Sequence, residues 1–318
     1  MNAGKAFTKT LLPAAAVVLM GCQGAPDRTH PFTASALPVV ALGADADRLS
    51  VLSFNMQHRD KPAQLAVMAE RLRSDLADMP DFILCQEVLF QRSRHKGHDN
   101  TATVLAEELG YYCHGTKRRS DREGVAIISR HPFVHYSQRD LKARTSGLLL
   151  GFRRVSIMGE FLVPGMGRVR VVNVHLAHWP FEHHIRYQQL KETLQWIADR
   201  DREVPADVIV LGGDFNIQPG WSEMGLLTDS PGPGELRYLD LNSSDPTRGR
   251  PGAPRVRVDY IFVAAPDRDL RMLGERLLYK DGLLTGDGGN RRFWLSDHVP
   301  LLHEYAIGSR RIAATSVQ

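Results

Sequence analysis

Short apolar runs alternate along the chain with amphipathic segments. Runs rich in Val, Ile and Phe with turn-forming residues on both sides predict β-strands, and apolar residues that recur every three or four positions predict helices covering one face of a sheet. Strands are predicted at residues 51–55, 82–86, 124–129, 148–155, 169–175, 208–211 and 256–263, and helices at 63–77, 101–109 and 182–198. This mixture predicts a layered α/β or α+β domain.

The first 21 residues have the pattern of an export signal. Lys5 and Lys9 precede an apolar stretch at 11–20 that is too short to span a bilayer and has the length of a signal-peptide core. The sequence Leu-Met-Gly-Cys that ends at Cys22 resembles a bacterial lipobox, in which the cysteine becomes the lipidated first residue. Alternatively, the segment is an ordinary cleaved signal that contains a cysteine. Both interpretations predict an exported protein, and the lipobox predicts an anchor in a bacterial cell membrane, on the periplasmic side or at the cell surface.

The rest of the chain predicts one folded domain. Residues 22–48 are rich in Ala, Pro and Gly without periodicity, which predicts a tether. The domain is predicted at 49–306, with a polar tail at 307–318, and we expect a monomer. Glycine- and proline-rich stretches predict loops at 230–234, 245–255 and 282–290.

Composition and charge exclude few functions. With 43% hydrophobic and 24% charged residues, the chain is not expected to be disordered. The net charge of +4 falls to +2 without Lys5 and Lys9, so overall charge supports a polyanionic partner only weakly. Cys85 and Cys113 lie in strand-like segments and are either two buried thiols or a disulfide, which an oxidising compartment allows.

Polar residues stand directly at the ends of the predicted strands. Asn55, Glu87, His175 and Asp214 each end an apolar run, and the pair at 297–298, Asp-His, immediately precedes one. Strand ends deliver side chains to one rim of a sheet. Each residue alone has an ordinary structural explanation, such as a turn or a cap. Together, carboxylates and amides at one rim suit a hard cation such as Mg²⁺, which prefers oxygen ligands.

Seven short motifs surround these residues in a fixed order. They are S-F-N at 53–55, Q-E-V at 86–88, E-G-V-A-I-I-S at 123–129, N-V-H-L at 173–176, G-G-D-F-N at 212–216, V-D-Y-I-F at 258–262 and S-D-H at 296–298. In this order they resemble the endonuclease/exonuclease/phosphatase superfamily, which contains secreted deoxyribonucleases, neutral sphingomyelinases and inositol-polyphosphate phosphatases. The resemblance runs from Leu52 to His298, and the last three motifs are the most specific.

The resemblance implies a fold and a metal site. The fold is α+β, a four-layer α/β/β/α sandwich of two packed mixed β-sheets flanked by helices, with the site at one end. Glu87, Asn55 and Asp297 would hold a divalent metal, which is Mg²⁺ or alternatively Mn²⁺ or Ca²⁺. The metal would polarise a phosphoryl oxygen and neutralise charge on the leaving oxygen. Asp214 and Asn216 would contact the attacking water, the scissile phosphate or a second metal.

The resemblance also implies a carboxylate partner for each histidine, which would fix its tautomer and stabilise the imidazolium. His298 would pair with Asp259 and act as the base on the attacking water. His175 would pair with Glu123 and donate to a phosphate oxygen or to the leaving group. Alternatively, Glu123 is a solvent-exposed surface residue.

The substrate class stays open at this stage. Basic clusters at 92–96, 117–122 and 248–257 lie in predicted loops beside the motifs and suit a polyanion, or else belong to an ordinary soluble surface. Trp179, just past the strand that ends at His175, either borders the cleft or packs in the interior.

The pattern as a whole favours a metal-dependent phosphodiesterase of the nuclease type, acting by His-activated water attack. The alternatives are a sphingomyelinase-like phospholipase C, which a membrane anchor at Cys22 favours but which lacks an evident aromatic-rich hairpin, and a phosphomonoesterase. The substrate would accordingly be nucleic acid, a phospholipid or a small phosphorylated compound. A non-catalytic surface lipoprotein is the alternative from another class, and it would be expected to have lost Glu87 or His298, both of which are present.

Overall fold

The computed structural model describes most of the predicted domain. The described residues are 48–57, 62–90, 100–117, 122–144, 153–179, 181–228, 245–250, 253–280, 282–284, 292–293 and 296–310. The predicted signal segment, Cys22 and nearly all of the tether lie outside these residues, as do the predicted loop at 230–234 and most of that at 282–290.

Strands outnumber helices in the described part of the chain. The elements are β1 (Arg48–Asn55), α1 (Pro62–Asp75), β2 (Phe82–Leu89), α2 (Thr101–Leu109), β3 (Tyr112–Lys117), β4 (Glu123–Ser129), β5 (Phe133–Arg144), β6 (Arg153–Val163), β7 (Gly167–His175), α3 (His183–Glu203), β8 (Val208–Asp214), a 3-10 turn (Ser222–Met224), α4 (Gly225–Thr228), β9 (Arg248–Arg250), β10 (Ala253–Val256), β11 (Asp259–Ala264), β12 (Arg268–Leu277), β13 (Leu283–Leu284), β14 (Arg292–Phe293) and β15 (Leu301–Arg310).

Two mixed sheets form the centre of the fold. The first has the strand order β12-β15-β1-β2-β4-β3 and the second has the order β11-β8-β7-β6-β5. Each contains one parallel pair at its middle, β1 with β2 in the first sheet and β7 with β8 in the second, and antiparallel neighbours outside it. The strands β9 and β10 form a separate hairpin, and β13 pairs with β14.

The central strands are buried on both faces, and most of their residues are apolar. Successive side chains of a strand point to opposite faces, so Val51 packs between the two sheets while its neighbour Leu52 packs on the outer face of the first sheet. In the same way, Val210 lies between the sheets while Leu211 packs on the outer face of the second.

Helices cover both outer faces. Leu72 of α1 and Leu105 of α2 pack with Leu52 against the first sheet. Leu194 of α3 packs with Leu211 against the second sheet. Three apolar clusters therefore fill the three spaces between four layers. The predicted α/β/β/α sandwich is confirmed.

The helix α2 has the bounds that the sequence predicted, because both of its ends carry capping residues. The Asn100 side chain accepts a hydrogen bond from the Thr103 amide at 3.0 Å. At the other end, Gly110 has a φ of 71° and its amide donates to the carbonyl groups of Ala106 and Glu107.

In the second half of the chain, several predicted bounds of strands and loops are wrong. The predicted strand at 256–263 is two strands, because β10 ends at Val256 and β11 begins at Asp259 in a different sheet. Between them, Arg257 leaves the strand path to form two hydrogen bonds with the carboxylate of Glu275, at 3.0 and 2.9 Å. The predicted loop at 245–255 contains the β9–β10 hairpin.

The domain also ends later than predicted. The strand β15 continues to Arg310, past the predicted boundary at residue 306. Ile307 pairs with Leu270 of β12 and is buried between the sheets, which keeps this segment in the fold.

The alternative of a disulfide is excluded, since Cys85 and Cys113 are free thiols. Cys85 pairs with Ala126 on one side of β4, and Cys113 pairs with Ile128 on the other side. The cysteines are therefore separated by at least two strand spacings, roughly 9–10 Å, which exceeds the Cα separation that a disulfide can bridge.

Within the described part of the chain, no helix is long and apolar enough to cross a membrane.

Candidate active site at one end of the sandwich

Three neighbouring strands of the second sheet bring three polar residues side by side. His175 ends β7 and is the register partner of Asp214, which ends the parallel neighbour β8. Asp214 is in turn the register partner of Asp259, which begins the antiparallel strand β11. Because register partners point to the same face of a sheet, the backbone alone places these groups in one row.

The first sheet supplies Asn55 and Glu87 to the same end. Asn55 ends β1, and its side-chain amide donates to Oδ2 of Asp214 at 3.0 Å, which joins the two sheets at the site. Glu87 lies in a β-bulge, since the pairing of β2 with β4 shifts between Cys85 and Val88. Its φ of 51° is unusual for a residue with a side chain. A bulge re-aims a side chain, and strained backbone of this kind is common in functional sites.

The two glycines before Asp214 are required by close packing. A Cβ on Gly212 would lie 2.6 Å from the side chain of Leu84 in the facing sheet. Gly213 has a φ of 136°, and a Cβ there would lie 2.1 Å from the carbonyl oxygen of Val174. The G-G-D sequence therefore allows the two sheets and the strands β7 and β8 to approach closely at the point where Asp214 emerges.

The residues after Asp214 form a tight turn that presents Asn216. The carboxylate of Asp214 accepts a hydrogen bond from the Asn216 amide at 3.0 Å, as in an Asx turn. Asn216 has a φ of 52°, a conformation that asparagine tolerates. Phe215 between them is buried against the second sheet, so the two polar side chains stay at the site.

His298 is hydrogen-bonded to Asp259, as predicted. Its Nδ1 lies 2.8 Å from Oδ2 of Asp259, and both side chains are buried. The amide of His298 donates to the hydroxyl of Ser296 at 3.0 Å, which orders the S-D-H turn. The other ring nitrogen, Nε2, lies 3.8 Å from Oδ2 of Asp214.

The buried charges of the site shift the pKa of His298 and that of Asp214. Burial alone would lower the pKa of His298, but the carboxylates of Asp259 and Asp214 outweigh it and raise the pKa to about 9. Burial and the charge of Asp259 raise the pKa of Asp214 to about 6, against the opposing effects of His298, Arg248 and the hydrogen bond from Asn55. Strongly shifted titrating groups in a cleft are typical of sites that transfer protons.

The structure corrects the partner that was expected for His175. Glu123 lines the same cleft as His175, but the group at hydrogen-bond distance of Nδ1 is the guanidinium of Arg154, with Nη1 at 3.1 Å. The reason is topological. Arg154 lies on β6, whose antiparallel pairing with β7 matches Ile157 with Asn173 and so brings the start of β6 beside the end of β7. Glu123 begins β4 in the other sheet.

The second nitrogen of His175 faces two carboxylates. Its Nε2 lies 3.5 Å from Oδ2 of Asp214 and 4.0 Å from Oε1 of Glu87. Asp214 therefore lies near the Nε2 atoms of both His175 and His298, at the centre of the site.

Arg154 was not found from the sequence as a site residue. It is buried, and its second amino group, Nη2, lies 3.0 Å from Nδ1 of His178. The signal in the sequence was the Arg-Arg pair at 153–154, which interrupts a predicted apolar strand. A charge in such a run has to find a partner, because burial without one is costly.

Arg248 is a second residue of the site that the sequence placed only in a basic cluster. Its Nη1 donates to Oδ1 of Asn216 at 3.1 Å, and its Nε lies 3.6 Å from Asp297. The backbone of Arg248 forms an isolated bridge with His298, which attaches the β9–β10 hairpin to the site. Of the other basic residues, those at 92–96 and 118–119 lie outside the described part of the chain.

The site residues fit a divalent cation. In the described part of the chain, the ligand atoms that cluster within 4.8 Å of one another are those of Asp214, Asp259 and His298, a different set from the ligands Glu87, Asn55 and Asp297 that the resemblance implies. The Oδ1 atom of Asp259 is buried and has no hydrogen-bond partner in the described structure, which is costly unless another group binds it. Glu87 offers a further carboxylate, with its side chain 22% exposed to the cleft. An oxygen-rich donor set of this kind suits Mg²⁺.

A loop with two exposed aromatic side chains follows His175. Trp179 is 52% exposed and Phe181 is 91% exposed. A hydrogen bond to a buried side chain holds the backbone of this loop, since the guanidinium of Arg186 donates to the carbonyl group of Trp179 at 2.7 Å. His178 and Trp179 have ring centroids 5.0 Å apart, so the aromatic surface begins at the cleft.

Comparison with known proteins identifies the family of the chain and supports its fold. The sequence model described as the endonuclease/exonuclease/phosphatase family matches residues 52–298, which contain the site residues named above. No curated protein was found to match the chain.

Three solved structures illustrate the similarity of the fold. A family protein from Bacteroides thetaiotaomicron is 20% identical, with a TM-score of 0.62 over 81% of this chain and 94% of that one. Truncated TDP2 of Caenorhabditis elegans is 16% identical, with a TM-score of 0.59 over 81% and 97%. The catalytic domain of human Nocturnin, which has a bound sulfate anion, is 17% identical, with a TM-score of 0.58 over 82% and 95%. At these identities the similarity shows the fold alone.

Proposed function

The chain belongs to the endonuclease/exonuclease/phosphatase family, whose members hydrolyse phosphoester bonds, and from the geometry of its cleft we propose that it is a divalent-metal-dependent phosphodiesterase of the nuclease type. The observation that carries the proposal is the hydrogen bond between Nδ1 of His298 and Asp259. The other ring nitrogen, Nε2, faces the carboxylate of Asp214 at the centre of the site. One histidine with a fixed tautomer beside buried carboxylates has the arrangement that water activation requires.

In this proposal His298 is the base. The carboxylate of Asp259 accepts a hydrogen bond from Nδ1–H, so the proton of the neutral ring stays on Nδ1 and the lone pair of Nε2 is free to take a proton from water. The charges of Asp259 and Asp214 favour proton uptake because they stabilise the imidazolium, which is the cause of the raised pKa of His298. Asp214 and Asn216, held by the Asx turn, orient the water and the phosphate.

Glu87 and Asn55 would hold Mg²⁺, with Mn²⁺ or Ca²⁺ as alternatives. Asn55 is hydrogen-bonded to Asp214, and the carboxylates of Glu87 and Asp214 both face Nε2 of His175, at 4.0 and 3.5 Å. The bound metal would supply Lewis-acid polarisation of the phosphoryl oxygen. Asp297 suits a ligand role less well than Glu87, because the guanidinium of Arg248 lies beside it.

The positive groups of the cleft suit a phosphate. Arg248 is held between Asn216 and Asp297 with its side chain 36% exposed, so it can donate to a phosphate oxygen at the mouth of the site. His175 directs its Nε2 into the site from the opposite side of Asp214. We assign to His175 a hydrogen bond to the phosphate or to the leaving group.

A second candidate is a phospholipase C of the sphingomyelinase kind. The exposed side chains of Trp179 and Phe181 favour it, because apolar rings beside a phosphate site can enter a lipid surface. The sequence indicated no aromatic-rich hairpin, but this loop offers two exposed rings. Export and a lipid anchor at Cys22, which we also propose from the lipobox-like sequence, would place either kind of enzyme beside a membrane.

A substrate panel separates these functions. The protein from Gln23 onward is incubated with bis-p-nitrophenyl phosphate, p-nitrophenyl phosphate, single- and double-stranded DNA, RNA, and vesicles that contain sphingomyelin, with Mg²⁺ or EDTA. We expect cleavage of the diester and of nucleic acid with Mg²⁺. Cleavage of sphingomyelin alone supports the second candidate, cleavage of the monoester alone indicates a phosphomonoesterase, and inactivity on all substrates contradicts the proposal in favour of a binding lipoprotein.

A further inference from the structure

In each of the two histidines of the site, Nδ1 has a side-chain partner, but one partner accepts hydrogen bonds and the other donates them. Nδ1 of His298 faces the carboxylate of Asp259 at 2.8 Å. Nδ1 of His175 faces the guanidinium of Arg154 at 3.1 Å. A carboxylate accepts hydrogen bonds, whereas a guanidinium only donates them.

Each partner therefore fixes a different tautomer. Beside Asp259, the proton of the neutral His298 ring lies on Nδ1, and Nε2 carries a lone pair. Beside Arg154, Nδ1 of His175 has to accept, so the proton of that ring lies on Nε2. Nε2 of His298 lies 3.8 Å from Oδ2 of Asp214, and Nε2 of His175 lies 3.5 Å from the same oxygen. A hydrogen-bond acceptor on His298 and a donor on His175 therefore face the same point of the site.

We propose that Arg154 is a positioning residue that fixes His175 in the Nε2–H tautomer, so that His175 acts as a hydrogen-bond donor to the substrate phosphate while His298 is the base. The role of His175 as a donor to phosphate rests on the proposed function. The tautomer of His175 follows from its contact with Arg154 and does not depend on that function. Preorganised donors that face the developing charge on a phosphoryl group lower the barrier, because they need no reorientation during reaction.

The environment of Arg154 supports this assignment. The side chain is buried, and its two amino groups extend to two imidazoles, with Nη2 3.0 Å from Nδ1 of His178. The planar guanidinium holds both contacts in one fixed geometry, which a lysine could not reproduce. Burial and the charges of Arg154 and Arg248 lower the pKa of His178, consistent with a neutral ring that accepts from Arg154.

The most direct test is the ring ¹⁵N spectrum of the metal-free protein at pH 7.5. Signals of His175 are assigned by their loss in His175→Gln. We expect a protonated Nε2 and an unprotonated Nδ1 for His175. A proton on Nδ1 of His175, in either the neutral or the charged ring, overturns the proposal. This reading needs no catalytic activity and no altered Arg154, so it decides the tautomer even if the proposed function fails.

The kinetic test uses Arg154→Met, which removes the donors but retains much of the side-chain length. We expect a mixture of His175 tautomers in the ¹⁵N spectrum and a fall in kcat of about tenfold to a hundredfold, with KM changed less than about threefold. Arg154→Lys should recover part of the rate, since an ammonium group can donate to one ring.

Arg168→Met is the matched control, because it removes an arginine of the adjacent strand β7 that pairs with Glu160, outside the cleft. It should leave the His175 signals and kcat unchanged. If Arg154→Met keeps the wild-type tautomer and kcat, Arg154 does not position His175 and the proposal is wrong. If Arg154→Met does not fold, the wild-type spectrum remains the deciding measurement.

Discussion

Asp214 and Asp259 are register partners on the adjacent strands β8 and β11, so two carboxylates lie side by side in a buried part of the second sheet. Burial and the charge of Asp259 raise the pKa of Asp214 to about 6. Such an arrangement is unfavourable for stability alone, because like charges repel and both lose hydration. It is expected where a histidine has to take up a proton, and His298 lies beside both carboxylates, with Nδ1 2.8 Å from Asp259 and Nε2 3.8 Å from Asp214.

The rate of hydrolysis should rise with pH. His298 can act as a base only when it is neutral, and the carboxylates of Asp259 and Asp214 outweigh burial and raise its pKa to about 9. The rate therefore increases as pH rises toward about 9 and then levels. In Asp259→Asn, one of the stabilising charges is lost, so the rise should shift to lower pH while kcat falls about a hundredfold or more.

The pH dependence of kcat for both proteins measures this shift, and Asp78→Asn is the control because Asp78 pairs with Arg48 at the surface. A pH profile in Asp259→Asn that rises over the same range as in the wild type would argue against His298 as the base.

Gly213→Ala should both destabilise the protein and inactivate it. The new Cβ would lie 2.1 Å from the carbonyl oxygen of Val174 at a φ of 136°, so β7 and β8 would have to separate beside Asp214. We expect a loss of roughly 2–4 kcal/mol in the free energy of unfolding, from strain and overpacking together.

Gly220→Ala is the matched control for that substitution. Gly220 has a φ of 80°, also unfavourable for alanine, but a Cβ there meets nothing within 4 Å. Its loss should be only about 1 kcal/mol, from the backbone alone. Denaturant unfolding of the two variants compares them, and equal losses would show that the close approach at Gly213 is not a constraint.

Substitution of the exposed rings should identify the substrate class. If bases stack on Trp179 and Phe181, the double substitution to alanine should raise KM for single-stranded DNA about tenfold or more. The effect on bis-p-nitrophenyl phosphate should be much smaller, since this compound reaches only the phosphate site.

Leu162→Ala is the control, because Leu162 is also exposed but lies at the far end of β6. If the double variant loses binding to vesicles with sphingomyelin while KM for DNA is unchanged, the phospholipase function is favoured. Unchanged KM for DNA together with unchanged vesicle binding would show that the rings do not contact substrate.

Glu275→Gln should change the acid stability of the fold. Burial alone would raise the pKa of Glu275, but hydrogen bonds from His303 and Arg257 and the charge of Arg257 lower it to about 2, from an ordinary value of 4.5. A lowered pKa in the folded state gives stability that is present above pH 4.5 and is lost as pH falls from 4.5 toward 2.

The free energy of unfolding of wild type and Glu275→Gln should therefore differ by on the order of 2 kcal/mol at neutral pH and converge below pH 4.5. Glu108→Gln, at an exposed position of α2, should show no such convergence. Parallel curves for Glu275→Gln and the wild type across this range would contradict the role given to the Glu275 contacts.

The buried strands and most motif positions could be predicted from the sequence because both depend on local pattern. Runs rich in valine and other apolar residues predict β7 and β8 in the second sheet. The edge strand β12 was not predicted, since its side chains are half-buried or exposed and several are charged, so no apolar run marks it. The contact between His298 and Asp259 was predicted only through the resemblance to the family, which the motifs carry together.

The contacts of Arg154 and Arg248 could not be predicted, because they depend on strand register rather than on local pattern. Arg154 meets His175 only because β6 and β7 pair with Ile157 opposite Asn173. Arg248 reaches Asn216 through a hairpin in a segment whose composition predicts a loop. Likewise, the bulge that directs Glu87 into the site has no signature in the sequence beside it.

The central claim is that a divalent metal and His298 act together in this cleft to cleave a phosphodiester. The most direct measurement is the rate of bis-p-nitrophenyl phosphate hydrolysis by the EDTA-treated protein as Mg²⁺ is added back, for the wild type, His298→Ala, and His135→Ala on β5 as a histidine control. We predict saturable recovery in the wild type and the control, and a rate lower by about a hundredfold to ten thousandfold in His298→Ala. A rate that persists in EDTA, or one that His298→Ala leaves unchanged, would contradict the account.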